Sequence, residues 1–132
     1  MKIVIVIPFY NEVARINLEN FHQIFNGFPH YNFLLVDDGS SDKTIAVLEE
    51  FKSEFSSIEV LKLTENVGKA EAIRSAVLSI SDANFISYYD ADLATPFSEL
   101  DKLIQSSVQN PNYNMVMGAR IKLMRNGVKR SL

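Results

Sequence analysis

The sequence predicts an α/β fold of three layers, in which a mostly parallel sheet carries helices on both of its faces. Two observations predict this fold. Short runs of β-branched and aromatic residues alternate along the chain with segments whose apolar residues recur at helical spacing. Several of the runs are apolar throughout, as is typical of strands that are covered on both faces. The chain has 132 residues, 47% of them hydrophobic, so we expect one domain over residues 1–132 with a substantial core.

Each predicted strand is a short apolar or alternating run that a proline, a glycine or a charged residue interrupts. In chain order the strands are Lys2–Pro8, Asn32–Val36, Ile58–Leu63, Ala83–Tyr89 and Asn114–Gly118. The first is the most distinct, because Ile3–Ile7 is an unbroken β-branched run that ends at Pro8. That run is also far too short to span a bilayer or to serve as a signal peptide.

Each predicted helix follows one of the first four strands and has apolar residues three or four positions apart. The helices cover Ile16–Phe25, Ile45–Phe55, Ala70–Ile80 and Phe97–Val108. Gly27 ends the first helix, and Ser41 or Asp42 is expected to cap the second. Strands that alternate with helices in this way pair in parallel, because each crossover returns the chain to the same edge.

Every unusual polar loop in the sequence follows a predicted strand. These loops are Tyr10–Glu12, Asp37–Asp42, Asn66–Lys69, Asp90–Thr95 and Gly118–Arg120. Ligands of open parallel sheets bind at the carboxyl ends of the strands, near the point where the strand order reverses. Five polar loops at that edge therefore predict a binding site there.

The loop after the fourth strand carries two carboxylates one residue apart, Asp90 and Asp92. Two like charges at the end of a buried strand are costly, and a divalent cation offsets that cost. Oxygen ligands suit Mg²⁺ or Mn²⁺, so the motif predicts a metal shared between these carboxylates and a substrate's phosphates. For the motif taken alone, a solvated turn before Pro96 is the alternative.

Other kinds of site fit the sequence less well. The chain has no cysteine, which excludes disulfides, thiolate metal sites and a cysteine nucleophile, and it lacks the glycine patterns of nucleotide-binding loops. A receiver domain would carry paired acids after its first strand, whereas Asp37 and Asp38 follow the second. A phosphatase of the aspartyl type would have threonine at the position of Ala94.

Four motifs occur in a fixed order along nearly the whole chain. They are Val6–Glu12, Val36–Asp42, Asn66–Lys69 and Asp90–Pro96. Together they resemble the motifs of inverting GT-A glycosyltransferases of the family 2 type. The likeness is greatest to the polyprenyl-phosphate (dolichyl-phosphate) sugar synthases, whose Gly-Ser-Arg is similar to Gly118-Ala119-Arg120. The resemblance implies a GT-A fold, a nucleotide-diphosphate sugar donor, Mg²⁺ or Mn²⁺, and transfer with inversion to a polyprenyl phosphate.

The resemblance also implies a role for each residue that matches a motif. The residues implied to bind the donor nucleotide are Pro8, Tyr10, Glu12, Asp37, Asp38, Lys69 and Asp90. Asp37 would face the base, Asp38 the ribose or base, and Lys69 the nucleotide or its diphosphate. Asp90 and Asp92 would hold the metal, and Asp92 and Arg120 are the predicted catalytic residues. The mannose-transferring relatives have Gln where this chain has Ala94, so the resemblance favours a UDP-sugar over GDP-mannose.

The resemblance covers the donor-binding half of these transferases, so we expect the chain to lack the acceptor-side C-terminal region. A nucleotide-sugar-binding module, or a fragment without transferase activity of its own, is the alternative function. Residues 119–132 contain five basic residues and no acid. Such a segment fits contact with phosphates or an anionic membrane surface, and a solvated end of the chain is the alternative. We therefore expect a cytoplasmic protein at the cytoplasmic face of a membrane, with no nucleic-acid partner.

Overall fold

The computed structural model describes residues 1–116, in which strands and helices alternate as predicted. The strands are β1 (Ile3–Phe9), β2 (Asn32–Asp37), β3 (Ile58–Lys62) and β4 (Phe85–Tyr88). The helices are α1 (Leu18–Gly27), α2 (Thr44–Glu54), α3 (Lys69–Ser79) and α4 (Phe97–Gln109). The chain divides into two compact units, Met1–Phe97 and Ser98–Leu132, and the whole sheet belongs to the first.

The four strands form one parallel sheet in the order β3-β2-β1-β4, which confirms the predicted fold class. The central strand β1 pairs with β2 on one side and with β4 on the other, so that Ile5 lies opposite both Phe33 and Ser87. The chain runs outward from β1 to β3 and then crosses back to β4. The strand order therefore reverses between β1 and β4, and the carboxyl ends of these two strands mark the switch point of the sheet.

Aromatic side chains fill the core on the face of the sheet that α1 and α2 cover. Phe21 and Phe25 of α1 contact Phe51 of α2, with ring centroids 5.8 and 5.3 Å apart, and Phe25 packs edge-on against Phe33 of β2 at 4.9 Å. Aromatic pairs at these distances add about 0.5–1.5 kcal/mol each beyond the area that they bury. The geometry of this cluster fixes α1 and α2 on the sheet.

Smaller residues form the core on the opposite face. Ala72 and Ala76 of α3 are fully buried against the valines of β1 and against Leu34 and Val36 of β2. Because alanine has no side chain beyond Cβ, α3 can approach the sheet closely. Helices thus cover both faces, as the unbroken apolar run of β1 predicts.

The prediction that Pro8 ends the first strand is wrong, because β1 continues to Phe9. The pairing of β1 with β4 stops at Val6, opposite Tyr88, whereas its pairing with β2 extends to Phe9. The backbone nitrogen of Pro8 points toward the β4 edge, as the backbone polar groups of Val6 do, but the pairing with β4 has already ended at this position. The missing N–H of Pro8 therefore costs no ladder hydrogen bond, which is the situation in which strands accept proline.

Two further predictions differ from the structure. The cap position of α2 is Lys43 rather than Ser41 or Asp42, although the Asp42 carboxylate does accept a hydrogen bond from the Thr44 N–H at 2.8 Å. The predicted strand Asn114–Gly118 is wrong for residues 114–116, which join no strand, and its last two residues lie outside the described part. None of the described strands pairs with this segment, and a strand needs a neighbour to supply its hydrogen bonds. Among the described residues no helix is both long and apolar enough to cross a membrane.

Candidate functional site

A pocket of about 430 Å³ opens at the switch point, beyond the carboxyl ends of β1 and β4. Loops after all four strands surround it: the β1 loop (residues 10–17), the β2 loop (38–43), the β3 loop (63–68) and the β4 loop (89–96). The structure brings these predicted site residues together in its wall: Pro8, Tyr10, Glu12, Asp38, Lys69, Asp90 and Asp92. Asp37 is not part of the wall, and Arg120 lies outside the described residues.

The β1 loop is joined to the β2 loop by a set of side-chain hydrogen bonds. The Asn11 side-chain oxygen accepts from the Ser41 N–H at 2.9 Å, and the Asn11 N–H donates to the Ser40 hydroxyl at 2.9 Å. The next N–H, that of Glu12, donates to the Thr44 hydroxyl at 2.9 Å. Asn11 has a φ of 47°, a left-handed conformation that asparagine tolerates better than most residues. The position of Glu12 in the pocket is therefore set by the backbone on both sides of it.

Asp38 joins the β2 loop to the β3 loop. Its side chain is 2% exposed, and its carboxylate accepts hydrogen bonds from the N–H groups of Val67 and Gly68 at 2.9 and 3.1 Å. The side-chain amide of Asn66 donates to the same carboxylate at 3.0 Å. Three donors compensate this buried charge, as burial of a carboxylate requires. Asp38 thereby fixes the residues directly before α3, and Lys69 begins that helix.

Asp37 is fully buried at the end of β2. One of its oxygens accepts a hydrogen bond from the Ser40 N–H at 3.2 Å, whereas Oδ2 is buried with no partner among the described residues. An unpaired buried carboxylate oxygen costs roughly 1–3 kcal/mol. Because Asp37 does not line the pocket, the structure gives it no contact with a ligand there, contrary to the role that the resemblance implies.

Lys69 and Tyr88 both contact Asp90. The Lys69 ammonium and the Tyr88 hydroxyl donate to the same oxygen, Oδ1, and the ammonium lies 5.0 Å from the centre of the Tyr88 ring. Burial would raise the pKa of Asp90, but the hydrogen bonds from Lys69 and Tyr88 outweigh it and lower that pKa below its ordinary value. Both hydrogen bonds that the Asp90 carboxylate accepts fall on Oδ1, and its Oδ2 points away from Lys69 and Tyr88.

The rest of the β4 loop has few hydrogen bonds of its own. The Asp92 carboxylate accepts from the Ala94 N–H at 3.0 Å, across Leu93, whose φ is 56°. The Tyr89 hydroxyl donates to the carbonyl of Thr95, and its ring is buried. Burial, followed by the charges of Asp92 and Asp90, raises the pKa of Tyr89, so this residue stays a neutral donor. Asp92 has no cationic partner among residues 1–116.

The pocket charges fit a metal that the protein holds only in part. Glu12 pairs with Arg15 at 3.1 Å, Asp38 has its N–H donors and Asp90 has Lys69. Of these carboxylates, Asp92 alone has no partner of opposite charge or buried N–H donors within residues 1–116. Among the described residues no group of three or more histidines, cysteines or carboxylates is arranged to hold a metal. Two carboxylates with free oxygens suit an ion such as Mg²⁺, which keeps several waters and takes further ligands from substrate phosphates.

Three side chains that contact the predicted site residues were assigned no role from the sequence, namely Arg15, Asn66 and Tyr88. Tyr88 could have been found, because it lies two residues before Asp90 and side chains two apart on a strand point to one side. Arg15 lies three residues after Glu12 in a turn where the Arg15 N–H donates to the Glu12 carbonyl at 2.8 Å. Asn66 begins the predicted loop and motif Asn66–Lys69, but its contact with Asp38 could not be predicted, since that contact depends on how two distant loops meet.

The family model and the relatives that this chain resembles all point to the same kind of protein, the glycosyltransferases. Residues 4–131 match the model of the family described as "Glycosyl transferase family 2". A dolichyl-phosphate beta-glucosyltransferase of Drosophila melanogaster is 33% identical over 113 residues, covering 78% of this chain and 34% of the relative. The enzyme of that name from Saccharomyces cerevisiae is 34% identical over 112 residues, covering 77% and 33%. The chain thus spans about a third of the length of the curated relatives that it matches.

Solved structures of low sequence identity share the fold. Staphylococcus aureus TarS, residues 1–349, matches with a TM-score of 0.67 at 19% identity, covering 96% of this chain and 40% of that structure. The mannosyltransferase PcManGT of Pyrobaculum calidifontis, solved with GDP-Man and Mn²⁺, matches with a TM-score of 0.59 at 22% identity, covering 72% and 33%. These likenesses support the GT-A fold that the sequence motifs imply.

Proposed function

The chain belongs to glycosyl transferase family 2, and from this membership we propose that it forms the donor-binding part of a sugar transferase. The enzyme would break the bond between a sugar and the diphosphate of a nucleotide, and attach the sugar with inversion to the phosphate of a polyprenyl phosphate. A UDP-sugar is the proposed donor. The Drosophila and yeast relatives, which are named dolichyl-phosphate beta-glucosyltransferases, support this acceptor and a glucosyl donor.

One observation carries the proposal: Asp90 and Asp92 share a pocket with Lys69 and Glu12 at the switch point of the sheet. A pocket of about 430 Å³ is within the range of small-molecule sites, which run from about 300 to 1,000 Å³. Two carboxylates with an ammonium beside them match a diphosphate that binds together with a cation. TarS with UDP-GlcNAc and PcManGT with GDP-Man and Mn²⁺ show that proteins of this fold bind such ligands.

The remaining residues take their proposed roles from where they lie. Pro8, Tyr10 and Glu12 would line the nucleotide pocket, and Tyr10, 44% exposed, offers a ring for stacking against the base. Asp37 is fully buried and lies outside the pocket wall, so the contact with the base that the resemblance implies for it is not part of this proposal. Asp38 would act indirectly, because its carboxylate already holds the β3 loop.

The chemistry requires that negative charge be stabilised as the diphosphate leaves. Asp90 and Asp92 would hold Mg²⁺ or Mn²⁺, whose positive charge offsets that negative charge. Lys69 lies at the same end of the pocket and would donate to a diphosphate oxygen. An acceptor phosphate is already ionised near neutral pH, so no side chain has to act as a general base. Arg120 remains the proposed contact for a phosphate, and the basic segment the proposed contact with a membrane surface.

Nucleotide binding and sugar transfer test the proposal. Titration calorimetry with UDP-glucose, UDP-GlcNAc and GDP-mannose, each with and without Mn²⁺, is expected to show Mn²⁺-dependent binding of a UDP-sugar. Asp92→Asn removes the charge at constant shape and is expected to weaken that binding by a factor of about ten or more. Asp82→Asn is the matched control, since Asp82 is a surface carboxylate that pairs with Lys2 outside the pocket.

The outcomes separate the two candidate functions. Transfer of radiolabelled sugar to a polyprenyl phosphate supports a transferase that works through this chain. Mn²⁺-dependent binding without transfer supports the nucleotide-sugar-binding module instead. Equal binding by wild type and Asp92→Asn, with and without Mn²⁺, would contradict the proposed site.

A further inference from the structure

Lys69 occupies one oxygen of the carboxylate that the proposed cation also needs. We propose that Lys69 is a resident counter-ion of Asp90, which the incoming cation displaces and which then binds the donor diphosphate. The inference rests on the proposed function and deepens it, because it gives one side chain two successive partners. It also predicts that the cation and the nucleotide assist each other's binding through Lys69.

The backbone at Lys69 is fixed while its side chain can move. Lys69 is the first residue of α3, and the two residues before it donate their N–H groups to the buried Asp38 carboxylate. Beyond Cα, the Lys69 side chain is 56% exposed and crosses the pocket to Asp90. A fixed origin and a long exposed chain let the ammonium exchange between two acceptors without a change in the fold.

The charges in the pocket favour an exchange at Asp90 rather than elsewhere. Arg15 pairs with Glu12 within one turn, three residues apart, so that pair needs no residue from another loop. The contact between Lys69 and Asp90 joins the start of α3 to the β4 loop, where Asp92 has no cationic partner among the described residues. A divalent cation between Asp90 and Asp92 would repel an ammonium on the same carboxylate. The diphosphate supplies the acceptor that the displaced ammonium then lacks.

Exchange has a thermodynamic signature that a static ion pair does not have. A cation that binds alone must break the contact between Lys69 and Asp90, and the displaced ammonium then gains no new acceptor. A cation that binds with a diphosphate loses nothing, because Lys69 gains a new partner. Removal of Lys69 should therefore strengthen binding of the cation alone, weaken binding of the nucleotide, and reduce the coupling between them.

The experiment measures Mn²⁺ affinity of the 132-residue chain by electron paramagnetic resonance of free Mn²⁺, in the absence and presence of saturating UDP. Lys69→Met keeps the length of the side chain and removes its charge. It is expected to raise the affinity for Mn²⁺ alone by about twofold to fivefold, the range for a partly exposed ion pair, and to lower the coupling factor by at least as much. Lys69→Gln is expected to act in the same way.

Lys2→Met is the matched control, because Lys2 also pairs with a carboxylate, Asp82, but does so outside the pocket. It removes the same charge and should leave both affinities unchanged. If Lys69→Met leaves the Mn²⁺ affinity unchanged, or raises it equally with and without UDP, the exchange is refuted while the proposed function stands. A folded wild-type chain that binds neither Mn²⁺ nor UDP would refute the proposed function itself, and the exchange with it.

Discussion

The loops after β1, β2 and β3 and the loop after β4 surround the same pocket, but different interactions hold them. Backbone N–H groups and buried acceptors fix the first three loops, as with Asp38 and the N–H groups of Val67 and Gly68. In the β4 loop, the polar contacts of Asp90 come from two side chains, and Asp92 is exposed. The side of the pocket proposed for the nucleotide is thus built in advance, whereas the side proposed for the cation depends on charges that a ligand would complete.

The largest effect is expected where the β2 and β3 loops meet. Gly39 has a φ of +67°, and a Cβ at this position would come within 2.3 Å of the Glu65 carbonyl carbon. Gly39→Ala should therefore lower the free energy of unfolding by about 2–4 kcal/mol, because backbone atoms have to move. Urea denaturation followed by circular dichroism measures this change.

Gly27→Ala is the control for that substitution. A Cβ at Gly27, the last residue of α1, would meet no atom within 4 Å. The free energy of unfolding of the Gly27→Ala variant should stay the same or rise by up to about 1 kcal/mol, since alanine favours a helix more than glycine does. Equal effects of the two substitutions would contradict the close approach of the β2 and β3 loops.

A smaller effect is expected from Asp38→Asn. The substitution removes the charge and turns one acceptor into a donor that faces the N–H groups of the β3 loop. We expect a loss of about 1–3 kcal/mol in the free energy of unfolding, the usual cost of an unsatisfied buried donor. Hydrogen exchange should show the same loss locally, as faster exchange at Val67 and Gly68. Unchanged exchange there would mean that Asp38 does not fix this loop.

The smallest effect on stability is expected in the β4 loop. Asp92 is exposed and accepts one local hydrogen bond, so Asp92→Asn should change the free energy of unfolding by less than about 0.5 kcal/mol. The same substitution is expected to weaken Mn²⁺-dependent nucleotide binding at least tenfold. A loss of stability as large as that of Asp38→Asn would contradict the proposed difference between the β4 loop and the loops after β1, β2 and β3.

Periodicity alone was enough to predict the layers of the fold. The apolar run Ile3–Ile7 indicates a strand buried on both faces, and the structure places it at the centre of the sheet. The extension of β1 through Pro8 could not be predicted, because it depends on where a strand distant in sequence stops. Likewise the strand predicted from residue 114 depends on a neighbour, and none of the described strands provides one.

The site could be predicted as a set of loops but not as a set of contacts. Parallel pairing places the loops that follow β1 to β4 on one edge of the sheet. The sequence was therefore sufficient to predict that Glu12 and Asp90 lie close together, and both line the pocket. It could not be predicted from the sequence that Asp38 accepts hydrogen bonds from the β3 loop, whereas Asp37 is buried and does not line the pocket. Neighbouring carboxylates differ in this way because tertiary packing decides which one finds donors.

A crystal structure of the chain with Mn²⁺ and UDP would test both the proposed site and the exchange at Lys69. We expect one Mn²⁺ in contact with oxygens of both Asp90 and Asp92 and with the diphosphate, and a Lys69 ammonium that has left Asp90 for a phosphate oxygen. A nucleotide bound elsewhere, or a well-ordered pocket with no Mn²⁺ at these carboxylates under saturating conditions, would contradict the proposed site.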